Sequence, residues 1–187
     1  MVIIIKKLKK MKNRYYIIFL LIIFTGCGDF LKNLHIKDKE FSMKTNPYKG
    51  TELKINGYYY KNIDNEYSRV FIFYESGVRY GGSVLHTSKE IENTLSASDF
   101  TKKYSDKREY WGPYEINYDK LKFEFYTNIG NMWCTCFAHC VILNDTTFTI
   151  EKITFSKTGE ERKDGFKGEF HFKEFYPKPD STNNFIK

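Results

Sequence analysis

The order of residues predicts a mainly β chain: an eight-stranded, up-and-down antiparallel barrel with one or two short helices, following an N-terminal signal helix. Three observations carry this reading. Strand signals recur between residues 57 and 173, with apolar and polar residues alternating at a period of two in Leu121 to Tyr126 and Phe166 to Lys173. Short clusters of Gly, Asn, Asp and Ser separate these segments, so consecutive strands meet through tight turns. One stretch, "HTSKEIENTLSASDF", departs from the alternation and carries helical spacing instead.

The first element is a leader, residues 1–26. Lys6, Lys7, Lys9, Lys10, Lys12 and Arg14 precede ten apolar residues, Tyr15 to Phe24. A basic stretch, a short apolar run and small residues before a cut make a secretory signal. As a helix the run spans about 15 Å, roughly half a bilayer core, too short for a membrane crossing. Two starts are open: Met11 gives a compact leader, and Met1 adds the second apolar-basic piece "MVIIIKKLKK".

Phe24-Thr25-Gly26-Cys27 resembles the lipobox of bacterial lipoproteins. The resemblance implies cleavage before Cys27 and lipid on its sulfur and on its new amino group. It thereby implies an exported chain held on the cell membrane or outer membrane through Cys27. Several acyl chains, at about 0.8 kcal/mol per buried methylene, make a durable anchor. The alternative is an ordinary signal peptide followed by a chance cysteine.

Residues 27–50 begin with this cysteine and read as a polar tether without a sustained period, broken at Asn46-Pro47. The barrel domain is expected over 51–177. Its strands begin with "GYYYK" (Gly57 to Lys61), the turn-like "NIDNE" and "YSRVFIFY" (Tyr67 to Tyr74). Glu75-Ser76-Gly77 turns that strand into Val78 to Leu85. Next, Thr87 and Glu90 stand at capping-box spacing, with Ile91 and Leu95 four apart on one helical face. A second short helix carries Phe100 and Tyr104, and the pair is expected to cover the barrel's mouth or one of its faces.

Strands resume at Tyr110 to Asn117 and Leu121 to Thr127, which flank "YDK". In the latter, Leu121, Phe123 and Phe125 alternate with Lys122, Glu124 and Tyr126. Trp133 to Leu143 and Thr147 to Phe155 are separated by Asn144-Asp145. Last, Phe166, Gly168, Phe170 and Phe172 alternate with charged residues and His171. Beyond it "KPDSTNNFIK", residues 178–187, is expected to run as a flexible tail.

"INGYYY", with Gly57 and Tyr59, resembles the Gly-x-Trp opening of the first lipocalin strand, with Tyr in place of Trp. "WGPYEI" and the tail are similar to segments of uncharacterised bacterial lipoproteins with lipocalin-like barrels. This resemblance implies a lipocalin-like fold and carries no activity with it.

Charge excludes one class of partner. The chain holds 30 Lys and Arg against 23 Asp and Glu, a net charge of +7. Six basic residues and no acidic ones precede Cys27, which leaves 24 against 23, or +1, after the cut. The basic balance belongs to the leader, so nucleic acid is not an expected partner.

The sharpest cluster of chemistry-bearing residues is "CTCFAHC", with Cys134, Cys136, His139 and Cys140. On a continuous strand rising about 3.3 Å per residue, the outer cysteines lie roughly 20 Å apart, and His139 faces away from all three. One zinc ion, with ligands about 2.3 Å away, cannot gather them, so no metal or other cofactor is expected. Buried free thiols are the favoured reading, ahead of a disulfide involving Cys140 or a dimer bridge. The same strand raises a question of facing. Its even positions Cys134, Cys136, Ala138 and Cys140 are small and its odd positions, Trp133, Phe137, Val141 and Leu143, are large. Large residues inward imply a filled interior; small residues inward imply a cavity suited to an apolar ligand.

No nucleophile elbow or phosphate-cradling loop is present, so no catalytic residue is assigned and no enzyme is expected. The reading is a lipid-anchored envelope protein that binds a small apolar ligand or a partner protein. Tyr58, Tyr59, Tyr114 and Trp133 are the candidate ligand contacts. A filled barrel serving as an interaction module is the alternative, and an enzyme without a linear motif is the third.

Overall fold

The computed structural model describes residues 40–85, 87–129, 132–163 and 166–186, and all that follows concerns these residues. The leader, Cys27 and the first part of the tether lie outside them, as does His86. Eight strands, β1 (Gly57–Asn62), β2 (Tyr67–Phe73), β3 (Val78–Leu85), β4 (Trp111–Asn117), β5 (Lys120–Ile129), β6 (Met132–Asn144), β7 (Thr147–Phe155) and β8 (Gly168–Glu174), pair in sequence order. Every pair is antiparallel, and β1 closes on β8 through Tyr59 opposite Phe172. This is the up-and-down barrel that the alternation predicts, with strand positions within a few residues of those expected.

Register assigns the two faces. Tyr59 pairs with Phe71, Phe73 with Arg79, Tyr114 with Phe123, Phe123 with Ala138, Ala138 with Ile153 and Phe148 with Phe170. These residues share the inner face because side chains alternate along each strand and paired residues point the same way. On β6 the small residues Cys136, Ala138 and Cys140 therefore face in. No broad cavity follows, because aromatic rings from the other strands occupy that space. Phe148 stacks on Phe170 at 5.1 Å, Phe71 lies 5.0 Å from Phe170 and 5.1 Å from Phe123, and Phe73 meets Tyr114 edge-on at 4.9 Å. Small residues on one strand make room for large ones on the strands across the lumen.

The helices cover a face and leave the mouth uncovered. α1 (Ser88–Leu95) starts with the expected capping box: Thr87 Oγ1 accepts from the Glu90 amide, and the Thr87 amide donates to Glu90 Oε2. Ile91 and Leu95 of α1, with Phe100 and Tyr104 of α2 (Phe100–Tyr104), join the outward residues Tyr58, Val70, Ile72, Tyr80 and Trp111 in a second apolar cluster outside the barrel. β2 is thus buried on both faces. The Trp111 indole N–H, donating to Tyr104 O at 2.7 Å, ties β4 to the end of α2.

Both flanking segments are more firmly held than their composition suggests. Within the expected tether, the Ser42 and Met43 amides donate to Glu124 Oε2, each at 2.8 Å. The Tyr48 amide donates to Glu75 O, and Tyr48 and Leu53 cap the lumen beside Tyr114. In the tail expected to be loose, the Lys178 ammonium donates to Ile55 O and Phe73 O, the Asn184 amide donates to Ser105 O, and Phe185 and Ile186 pack on the outer cluster. Backbone bonding and buried apolar contacts outweigh the polar, proline-containing composition of both segments.

Candidate functional site

The two ends of the barrel differ. One end gathers the β2–β3, β4–β5 and β6–β7 turns and is plugged by Tyr48 and Leu53, whose amide donates to the Tyr48 hydroxyl at 2.9 Å. The other end is hollow because β4 is short. β3 and β4 pair only over Val78–Tyr80 and Trp111–Pro113, while β3 and β5 run on past the start of β4. The 3-10 turn Arg108–Tyr110 spans this gap. A cavity of about 300 Å³ lies behind it, bounded by Phe71, Gly81, Phe125 and Phe166 inside and by Tyr110, Tyr126 and Trp133 at the rim.

Three guanidinium groups line this cavity: Arg69 on β2, Arg79 on β3 and Arg162 on the β7–β8 connection. Arg79 is 1% exposed. Its side chain lies among Phe123, Phe71 and Phe125, with its guanidinium carbon 4.7, 5.5 and 5.8 Å from their ring centroids. Gly81 makes this placement possible, since a Cβ there would overlap Arg79 Nη1 and the Phe71 ring. The one hydrogen bond recorded for Arg79 runs from Nη2 to the Glu124 carbonyl at 3.2 Å, and its Nε is buried without a partner. Arg69 Nε is likewise buried without a partner, while its guanidinium sits 4.3 Å from the Phe166 centroid.

Burial, then the neighbouring Arg69, brings the Arg79 pKa down to about 9, a shift that Cys140 partly opposes. Burial and Arg162 lower Arg69 as well. Arg79 remains a cation at neutral pH. Stacking on rings recovers part of the lost hydration, yet burying an ion without a counter-charge, as found here among the described residues, costs several kcal/mol. Among the described residues, the carboxylate on the cavity lining is that of Glu109, an exposed rim residue. Glu124, fully buried on the outer face, directs its carboxylate to Ser42 and Met43 and offers Arg79 only its carbonyl.

The four tyrosine and tryptophan candidates are not brought together. Tyr59 and Tyr114 face the lumen but belong to its filled, plugged half. The Tyr59 hydroxyl donates to Lys54 O or Asp145 O, and that of Tyr114 donates to Tyr74 O at 2.8 Å. Tyr58 faces outward, against Tyr60 and Phe175, because the register that turns Tyr59 in turns its neighbour out. Trp133 alone of the four borders the cavity, 38% exposed and stacked on Tyr126 at 5.1 Å.

The cysteine cluster lies on a continuous strand, with His139 facing out to Thr154 Oγ1 at 3.0 Å. Cys134, Cys136 and Cys140 are free thiols, Cys136 pushed up to about 12 by burial and then by Cys134. Among the described residues no group of three or more His, Cys, Asp or Glu side chains could hold a metal ion.

Sequence reasoning missed Arg69 and Arg79. For Arg69 the signal lay in "YSRVFIFY": Val70, Ile72 and Tyr74 make one face apolar, and Phe71 and Phe73 make the other apolar too. A charge in such a strand must be buried. Arg79, in "VRYGGSVL", carried no such signal.

Fold and site together define an eight-stranded antiparallel β-barrel, plugged at one end and hollow at the other, with cationic groups inside the hollow. Comparison with known protein families, with curated proteins and with solved structures finds no match to this chain.

Proposed function

We propose that this chain is a lipid-anchored envelope protein with a lipocalin-like barrel that holds a small ligand in its open end. The observation that supports this most is the 300 Å³ cavity, at the small end of the range for ligand pockets, lined by aromatic rings and a few polar groups. The lipobox-like run ending at Cys27 supports an exported protein tethered to a membrane. The expected tether is docked on the barrel at Phe41, whose ring lies against Arg108, and at Ser42.

Native mass spectrometry of the purified chain tests the ligand: a small molecule retained at one copy per chain is expected. Mass analysis of the mature N-terminus tests the anchor, with an acylated Cys27 expected and release from membranes on Cys27→Ala. An unmodified Cys27 thiol in the native host overturns the anchored reading. The second reading, a barrel acting only as an interaction module, draws support from the aromatic filling of the plugged half, which leaves that half no room for a ligand.

A further inference from the structure

We infer that the ligand is an organic oxyanion with a compact aromatic or short acyl body, its charged group held between Arg69 and Arg79. This rests on the reading of the open end as a ligand site and names what that site accepts.

The argument begins from the two arginines. They project from neighbouring strands into one cavity, each with a buried Nε–H and no hydrogen-bond acceptor for it. A guanidinium presents five donors in a fixed fork, and Arg79 uses one of them, on a carbonyl. Neither arginine has a carboxylate partner among the described residues. Arg162 on the same lining adds positive charge, and Glu109 stays at the rim. An oxyanion entering between the forks would supply acceptors and neutralise charge together, the geometry that suits carboxylate, sulfonate and phosphate groups. The body of the ligand is set by the remaining walls. Phe71, Phe125 and Phe166 give ring surface inside, and the stacked Tyr126–Trp133 pair extends it at the mouth. A long chain cannot run deeper into the barrel, because the lumen beyond Phe71 is occupied by Phe73, Phe148 and Tyr59.

Fluorescence titration of the purified full chain tests this with two probes of one shape: 8-anilinonaphthalene-1-sulfonate and its uncharged counterpart N-phenyl-1-naphthylamine. The sulfonate is expected to bind more tightly by about tenfold or more, the size of one or two charge-assisted hydrogen bonds. Arg79→Met and, as a second variant on the less buried residue, Arg69→Gln should each narrow the preference, lowering the sulfonate's affinity by a larger factor than the neutral probe's; an undiminished preference in both folded variants overturns the assignment to these arginines. Circular dichroism checks that both variants are folded. Competition then separates the sources of charge: displacement of the sulfonate by 1-naphthoate assigns a carboxylate ligand, and displacement by 1-naphthyl phosphate alone assigns a phosphate monoester. Equal binding of the two probes to the unaltered chain overturns the oxyanion site while the ligand-binding reading stands. Binding of neither overturns both.

Discussion

Gly81 matters for the side chain it lacks. Arg79 Nη1 and the Phe71 ring occupy the volume where a Cβ would stand, and Gly112, next to Arg79 on the paired strand, presses against the Glu124 carbonyl. Gly81→Ala should therefore push Arg79 and Phe71 apart and lower stability by about 1–3 kcal/mol, the usual range for overpacking a core. A thermal melt beside the unaltered chain measures this, and an unshifted midpoint would show that Arg79 has another place to go. The tyrosines set a second residue-scale property. Burial raises the hydroxyl pKa of Tyr59, Tyr74, Tyr80 and Tyr114 above the ordinary value of 10.0. The folded chain keeps protons that the unfolded chain releases near pH 10, so their contribution is complete below that pH and lost as pH climbs through the raised folded values. Arg79 acts in the opposite sense from about pH 9 upward, since the folded state sheds its proton first. Four tyrosines outnumber it. Denaturant midpoints should fall as pH rises past 10, and a flat profile there would contradict the burial of these hydroxyls.

Among the elements, β4 decides the site's shape and α1 covers a face of the barrel. α1 is only eight residues long, too short to be stable alone, and it persists through its capping box and the burial of Ile91 and Leu95. Thr87→Ala removes the hydroxyl that accepts from Glu90 N and should destabilise the helix by about 0.5–2 kcal/mol. Hydrogen exchange across 88–95 should rise while β5–β6 amides stay protected; uniform loss of protection would place the helix within the barrel's own cooperative unit. β4 was legible as a strand from its composition, and its start at Trp111 agrees with the expected Tyr110 to within a residue. Its consequence was not legible. That a strand falls short of its neighbours depends on register with β3 and β5, and register is a relation between distant segments. The docking of the tail and of the segment from Ser42 was not legible for a related reason: their anchors, Glu124, Phe73 and Ser105, lie far away in sequence.

For the molecule as a whole, Phe71 is the hub. Its ring meets Phe73, Phe123, Phe148, Phe166 and Phe170, joining the packed half to the wall of the cavity. Phe71→Ala should cost about 3–5 kcal/mol, and denaturant unfolding should stay a single transition at a lower midpoint. Two transitions would mean that the plugged and open ends unfold independently.

Residue order by itself determined which segments are strands, where the first helix begins and that the chain closes into a meander, because alternation, turn residues and a capping box act over a few neighbours. Only the tertiary structure decided that the small face of β6 turns inward, that the lumen is half filled, and that Arg69 and Arg79 share the cavity at its open end. Those outcomes follow from ring volumes meeting across the barrel and from the registers of strands far apart in the chain, which no local pattern encodes.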